Sequence, residues 1–337
     1  MNRPARALTV FIILLAWAGL SGCQVFAGEV GNSEAERDRQ PPGEVSAGST
    51  RTPFLPAAPT IQEETLPTVT ANEAQQPETI PSALPEATVT AAVAAVEKCD
   101  ERAGRIEEKE AAFTPEAPLR FRVYLPPCFD SGEGAPYPVL YMIHGQTFAD
   151  DQWPRLGIAE AADALIAGQG AQPFLIVMPR EDNTFADIYL SAFSTDVIEG
   201  LIPWVDENYP TCARRECRAI GGLSRGGAWA LHLGFIHWEL FGAIGAHSTP
   251  PFNTTPRQFP GWVQQIPPGA LPRVYMDIGR GDPYLSMASA FEEQLTGAGV
   301  PHDWYLFNGT HDEEYWSAHT GDYLAWYAAN WANLSQP

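Results

Sequence analysis

Ser224 sits in the run Gly222-Leu223-Ser224-Arg225-Gly226. A bare Gly-x-Ser-x-Gly carries little information. Here an apolar stretch ending at Ile220 precedes it, and an Ala/Leu-rich stretch follows it. That is the strand, turn, helix context that holds a serine on a tight turn with its Oγ exposed for nucleophilic attack. Gly222, Gly226 and Gly227 supply the small residues such a turn needs. The start of the following helix also favours negative charge beside the Oγ.

A serine nucleophile needs a base, and the base needs an acid to orient it. In this arrangement the acid and then the histidine follow the serine along the chain. His311, in Asn308-Gly309-Thr310-His311-Asp312, comes directly after the apolar segment 304–307. From a loop at a strand's carboxyl end its ring can reach over the sheet edge. His302 precedes that segment and points to the wrong end, and His319 lies farther on, near an expected helix start. His232 and His237 fall on or after the helix that follows the serine, where a structural role is expected. Asp282, in Gly279-Arg280-Gly281-Asp282, follows the segment 274–278 and is placed to accept the Nδ1 proton of His311. Asp277 lies inside that segment, while Asp312 and Glu313 adjoin His311 and cannot easily reach around its ring. A tetrahedral intermediate would need two donors. The Arg225 amide, next to the nucleophile, is one, and the Gln146 amide in His144-Gly145-Gln146 is the other. His144 itself is expected to position the turn.

Strands and helices must deliver these groups to one place. Segments 138–144 and 174–178 are almost continuously apolar, as buried parallel strands are. Segment 119–125 alternates and reads as a strand near a sheet edge. Further strands are expected at 218–222, 241–246, 274–278 and 304–307, and helices at 158–167, 195–208, 228–235, 287–298 and 323–331. The alternation implies a mainly parallel sheet covered on both faces. Segment 249–272 is proline-rich, carries Phe252, Phe259 and Trp262, and is long for a connection, so a lid, a binding loop or a passive surface loop is expected there. Of the ten tryptophans, Trp153, Trp262 and Trp316 fall in expected loops near the site and are candidate substrate contacts.

With these pieces in place, the segment from residue 96 onward resembles the esterase D-like family. That family holds feruloyl and acetyl-xylan esterases, siderophore esterases, S-formylglutathione hydrolases and mycolyl transferases. The resemblance rests on 137–145, 201–209, 218–227, 241–248, 279–282 and Gly309-Thr310-His311 with Tyr315-Trp316. It implies the α/β-hydrolase fold and a serine carboxylic-ester hydrolase working through an acyl-enzyme, with acyl or feruloyl esters of polysaccharide as one substrate class. Two alternatives stand beside this: an acyltransferase of the mycolyl-transferase type, and a non-catalytic binding protein on the same fold. Two positions depart from the family. Arg225 stands where methionine is common, so its side chain meets either a substrate anion or an internal acid. Thr249-Pro250-Pro251 stands where glycine is common.

The first residues read as an export signal. Arg3 and Arg6 precede an apolar run over 7–20, which is short for a membrane span. Leu20-Ser21-Gly22-Cys23 resembles the bacterial lipoprotein signal, which implies cleavage before Cys23, lipidation of its thiol and an extracytoplasmic, membrane-anchored protein. Residues 23–95 are rich in Pro, Thr, Ala and Glu, bury too little apolar surface to fold, and read as a tether, leaving 96–337 as one catalytic domain. Four further cysteines suit two disulfides in an oxidising compartment. The short Cys212 to Cys217 spacing suggests one local loop, leaving Cys99 with Cys128. The spacings form no zinc motif, and no cofactor motif is present. A net charge of −21 argues against nucleic acid as a partner, and the expected ligand is the ester substrate that the triad and the resemblance imply. Oligomeric state is not legible.

Overall fold

Strands and helices alternate along the chain in the computed structural model, which describes residues 99–114, 117–131 and 136–332. The expected export signal (1–22), the lipidation site Cys23, the tether (23–95) and the domain start at Val96 lie outside these residues.

Eight strands form one sheet in the order β1-β2-β4-β3-β5-β6-β7-β8. They are β1 (Arg105–Ala111), β2 (Leu119–Leu125), β3 (Val139–Ile143), β4 (Leu175–Pro179), β5 (Arg218–Leu223), β6 (Ala243–His247), β7 (Arg273–Gly279) and β8 (His302–Phe307). β1 and β2 run antiparallel at one side, and β4, β3, β5, β6, β7 and β8 are mutually parallel. The central strands β3, β4, β5 and β6 are buried at every position; β3 and β4 are apolar throughout, whereas β5 and β6 also bury Arg218 and His247.

Successive residues of a strand face opposite ways, so β3 feeds two cores. Val139, Tyr141 and Ile143 join one core, and Leu140 and Met142 join the other. The first core is covered by α3 (Phe193–Thr195), which runs through a π-helical stretch (Asp196–Leu201) into α4 (Ile202–Asn208), and by α5 (Arg225–Ile236), α6 (Thr255–Gln265) and α7 (Leu285–Gly297). The second is covered by α1 (Gln152–Arg155), α2 (Ile158–Ala167) and α8 (Glu313–Ala329). The sheet is therefore a middle layer. The loops at the carboxyl ends of its parallel strands lie along one edge, and these loops carry the candidate catalytic residues.

Two elements differ from expectation. No element is expected at 105–111 from the sequence; the structure has β1 (RIEEKEA) there, an edge strand with one large apolar residue, Ile106, whose charged side chains discourage further pairing. The segment 249–272 is no simple loop, because α6 occupies Thr255–Gln265. Pro256 is tolerated in its first turn, where an amide would have no helical acceptor, and buried Phe259 ties the helix to the core. Cys99 is bonded to Cys128 and Cys212 to Cys217, with Cα atoms 5.7 and 5.8 Å apart, the pairing expected from the sequence.

Candidate active site

Ser224 stands between the end of β5 and the start of α5 with φ 52° and ψ −120°, a backbone region that L-residues rarely enter. The turn is held from both sides. The Ser224 amide donates to the carbonyl of His247 at the end of β6 (2.8 Å). On the other side Gly226 passes so close to β3 that a Cβ there would lie 2.2 Å from the Ile143 carbonyl oxygen. Strain at Ser224 is thus balanced by close backbone packing that only glycine permits.

His311 and Asp282 reach the same point from β8 and β7. His311 Nε2 is 2.9 Å from Ser224 Oγ, and His311 Nδ1 is 2.8 Å from Asp282 Oδ2. A carboxylate only accepts, so Nδ1 carries the proton and Nε2 is left to accept from the serine hydroxyl. Asp282 is buried and its other oxygen accepts from the Tyr284 amide (2.8 Å), which fixes the carboxylate plane. The imidazole is held edge-on between Tyr284 and Trp316, with ring centroids 4.9 and 5.1 Å away. Directly after His311, Asp312 caps α8 by accepting from the Tyr315 amide (2.9 Å). A hydrogen bond from the Thr310 hydroxyl, and then that from the Tyr315 amide, holds the Asp312 carboxyl below its usual range.

The loop after β3 lies across from the serine. Gly145 donates its amide to the buried Gln152 Oε1 (2.8 Å), so that amide is already used. Gln146 follows, and its side chain donates to the Thr184 carbonyl (3.2 Å). Among the described residues no carbonyl takes the Gln146 amide. Arg225 opens α5, so its amide has no acceptor within the helix. His144 is buried. Its Nε2 accepts from the Glu181 amide (2.9 Å) and its Nδ1 meets the Gly145 carbonyl (2.8 Å), which suits the turn-positioning role expected of it.

A cavity of about 380 Å³ opens over Ser224 and His311. Gly145, Gln146, Thr147 and Phe148 line one side, and Tyr284, Asp312, Glu313 and Trp316 the other. Of the three tryptophans expected near substrate, Trp316 lines this cavity, but from α8 rather than from a loop. Trp153 does not line it: it lies in α1, 1% exposed, with its indole N–H on the Ile143 carbonyl (3.1 Å). Trp262 sits on α6 beside Phe235, Ile236 and Trp238, around a different cavity. Both tryptophans were placed by assuming loops where short or proline-containing helices form.

The sequence also gave no notice of Glu181, Gln152 and Tyr284. Glu181 binds Arg225 through two oxygens, so the Arg225 side chain meets an internal acid. Its position just past the carboxyl end of β4 is the signal that could have marked it, since loops there face the site. Beneath the site lies a second carboxylate. Asp277, in β7, is 2.8 Å from His247 Nδ1 and accepts from the Tyr315 and Tyr323 hydroxyls (2.7 and 3.0 Å). His247 Nε2 in turn meets the Tyr327 hydroxyl (3.1 Å). Burial, then the nearby Asp277 charge, pushes the phenols of Tyr315, Tyr323 and Tyr327 up, so they remain donors.

A family model described as Esterase matches residues 114–326. A curated endo-1,4-beta-xylanase/feruloyl esterase of Xylanibacter ruminicola is 31% identical over 192 residues, which is 54% of this chain and 26% of that protein. The chain thus spans about a quarter of the length of that relative. Among solved structures, a ferulic acid esterase superposes with a TM-score of 0.59 at 22% identity, covering 68% of this chain and 99% of the other. An S-formylglutathione hydrolase from Staphylococcus aureus does so with a TM-score of 0.56 at 17% identity, covering 67% and 98%. These similarities give the sheet and its flanking helices the α/β-hydrolase fold.

Proposed function

The chain belongs to the esterase family, and from that premise we propose that it hydrolyses carboxylic esters through an acyl-enzyme on Ser224. The observation that carries the reading is the unbroken chain Ser224 Oγ, His311 Nε2, His311 Nδ1, Asp282 Oδ2, with gaps of 2.9 and 2.8 Å, at the floor of an open cavity. In this reading Ser224 Oγ attacks the ester carbonyl while His311 Nε2 takes its proton. The imidazolium is stabilised by Asp282 and returns the proton to the departing alcohol. Water then attacks the acyl-serine by the same route, releasing acid and free serine. The developing oxyanion is met by the amides of Arg225 and Gln146, an interaction worth roughly 3 to 4 kcal/mol of barrier per donor.

The substrate proposed is an acyl or feruloyl ester of a polysaccharide. The aromatic edges of the cavity, Phe148, Tyr284 and Trp316, suit a flat acyl group, and the curated relative is named for feruloyl ester cleavage. The setting proposed is extracytoplasmic, with lipidated Cys23 as anchor and residues 23–95 as tether. The lipoprotein-like Leu20-Ser21-Gly22-Cys23 supports this, as do two disulfides, which persist in oxidising compartments.

The test is turnover of p-nitrophenyl, acetylated-sugar and feruloyl esters by the full chain beside Ser224→Ala. Wild type is expected to favour feruloyl esters, and Ser224→Ala to lose at least about a thousandfold in kcat. Equal turnover by the two proteins would remove Ser224 from the reaction. Preference for small acetyl esters would remove the aromatic acyl group.

A further inference from the structure

Arg225 brings a cation to the residue after the nucleophile, and protein groups hold its Nε and Nη2 donors and pack against the guanidinium. Nε and Nη2 donate to the two oxygens of Glu181 at 2.7 and 2.6 Å, and Nη2 also donates to the Ala186 carbonyl at 3.2 Å. The guanidinium packs over the rings of Trp229 and Phe252, at 5.8 and 5.4 Å. The side chains are 12% and 2% exposed, so neither charge is tolerated there without the other. Neither Arg225 nor Glu181 is among the residues that line the cavity over Ser224.

Glu181 reaches further. Its own amide donates to His144 Nε2 at 2.9 Å, which puts the ring proton on Nδ1, facing the Gly145 carbonyl at 2.8 Å. Three residues on, the Thr184 carbonyl accepts from the Gln146 side chain at 3.2 Å. The loop that begins at Glu181 is therefore fastened to α5 by Arg225 and to the loop after β3 through His144 and Gln146. Those two anchor points carry the two amides assigned to the oxyanion.

We propose that the Arg225–Glu181 pair is a positioning clamp that fixes the spacing between the Arg225 and Gln146 amides, and that it has no part in binding substrate. This rests on the ester-hydrolysis reading above. Arg225 thus acts twice: its amide touches the oxyanion, and its side chain holds the opposite donor in register. Small losses of register are costly in such a site, about a hundredfold in rate for a misplacement near 1 Å.

The experiment uses the full chain with p-nitrophenyl acetate as substrate and phenylboronic acid as a probe that becomes tetrahedral on the serine. The variants are Arg225→Met, Arg225→Lys, Glu181→Gln and the double replacement Arg225→Met with Glu181→Leu, with thermal unfolding followed alongside. The double variant removes both buried charges and is expected to fold. It and the single variants are expected to lose about a hundredfold in kcat, with KM changed less than about threefold and boronate affinity falling in step with kcat. The double variant is expected to be no worse than the worse single one, because both break one coupling. Arg225→Lys keeps the charge without the fork and is expected to lose activity while still folding, which decides the matter should the others not fold. A folded double variant, or a folded Arg225→Lys, within about twofold of wild-type kcat would overturn the clamp, as would a rise in KM at constant kcat. An inactive wild type that also fails to bind the boronate would sink the hydrolysis reading, and the clamp with it.

Discussion

Two aspartates five residues apart, Asp277 and Asp282, each face a histidine at 2.8 Å, yet only one pair ends on a serine. Asp282 lies past the end of β7, and its histidine turns a free nitrogen to Ser224. Asp277 lies within the strand, and its histidine turns the second nitrogen to the Tyr327 hydroxyl. Exchanging each acid should therefore give opposite results. Asp282→Asn is expected to lower kcat about ten-thousandfold, through the wrong imidazole tautomer, with little change in melting temperature. Asp277→Ala leaves His247, Tyr315 and Tyr323 without their acceptor and is expected to cost about 3 to 5 kcal/mol in a denaturant titration. The reverse pattern would exchange the roles assigned to the two acids. Ser224, Asp282 and His311 were legible because each follows a recognisable strand in the order the mechanism requires. Asp277 was not, because its partners lie 30, 38 and 46 residues away and only the packed fold assembles them.

β3 and β4 announced themselves through unbroken apolar runs, and the packing of α8 on the sheet explains two glycines in its other strands, Gly221 and Gly245. A Cβ on Gly221 of β5 would lie 1.9 Å from the Tyr327 hydroxyl oxygen. The helix approaches the sheet that closely to bring its hydroxyl to His247. Gly221→Ala is expected to destabilise by about 1 to 3 kcal/mol, as overpacking does. Adding Tyr327→Phe should recover part of the loss, since the phenol oxygen is the nearest obstacle. A double variant as unstable as the sum of the two single variants would show that the strain lies elsewhere. β1 and α6 were hidden for opposite reasons. β1 is a strand whose exposed edge is written in charges, and α6 is a helix whose prolines sit where a loop would also hold them.

Acid should loosen the whole molecule through histidines that the fold keeps neutral. Burial lowers His232 to about 4 and also lowers His144. An unfolded histidine titrates near 6.5, so between that pH and the folded values the unfolded chain binds more protons. Stability is thus expected to fall as pH drops through this window, and to be flat with respect to these two groups above about 7.5. His232 packs against Trp229, Phe252, Trp262 and Tyr189, so His232→Phe should preserve the packing and reduce the slope of the urea midpoint against pH between 6.5 and 4.5. An unchanged slope would mean that other groups set it. At this scale the sequence disclosed composition, charge and a single α/β layer arrangement. It could not disclose which histidines the packing would strip of water.

The cluster around Asp277 also imposes an order on biosynthesis. Asp277 and His247 emerge on β7 and β6, whereas Tyr315, Tyr323 and Tyr327, which satisfy them, arrive only on α8. A nascent chain translated as far as β8 has its strands and the Asp277–His247 pair, but the second carboxylate oxygen and the second ring nitrogen still lack their phenol partners. A chain lacking α8 would leave its part of that sheet face, and the apolar residues of the core there, uncovered.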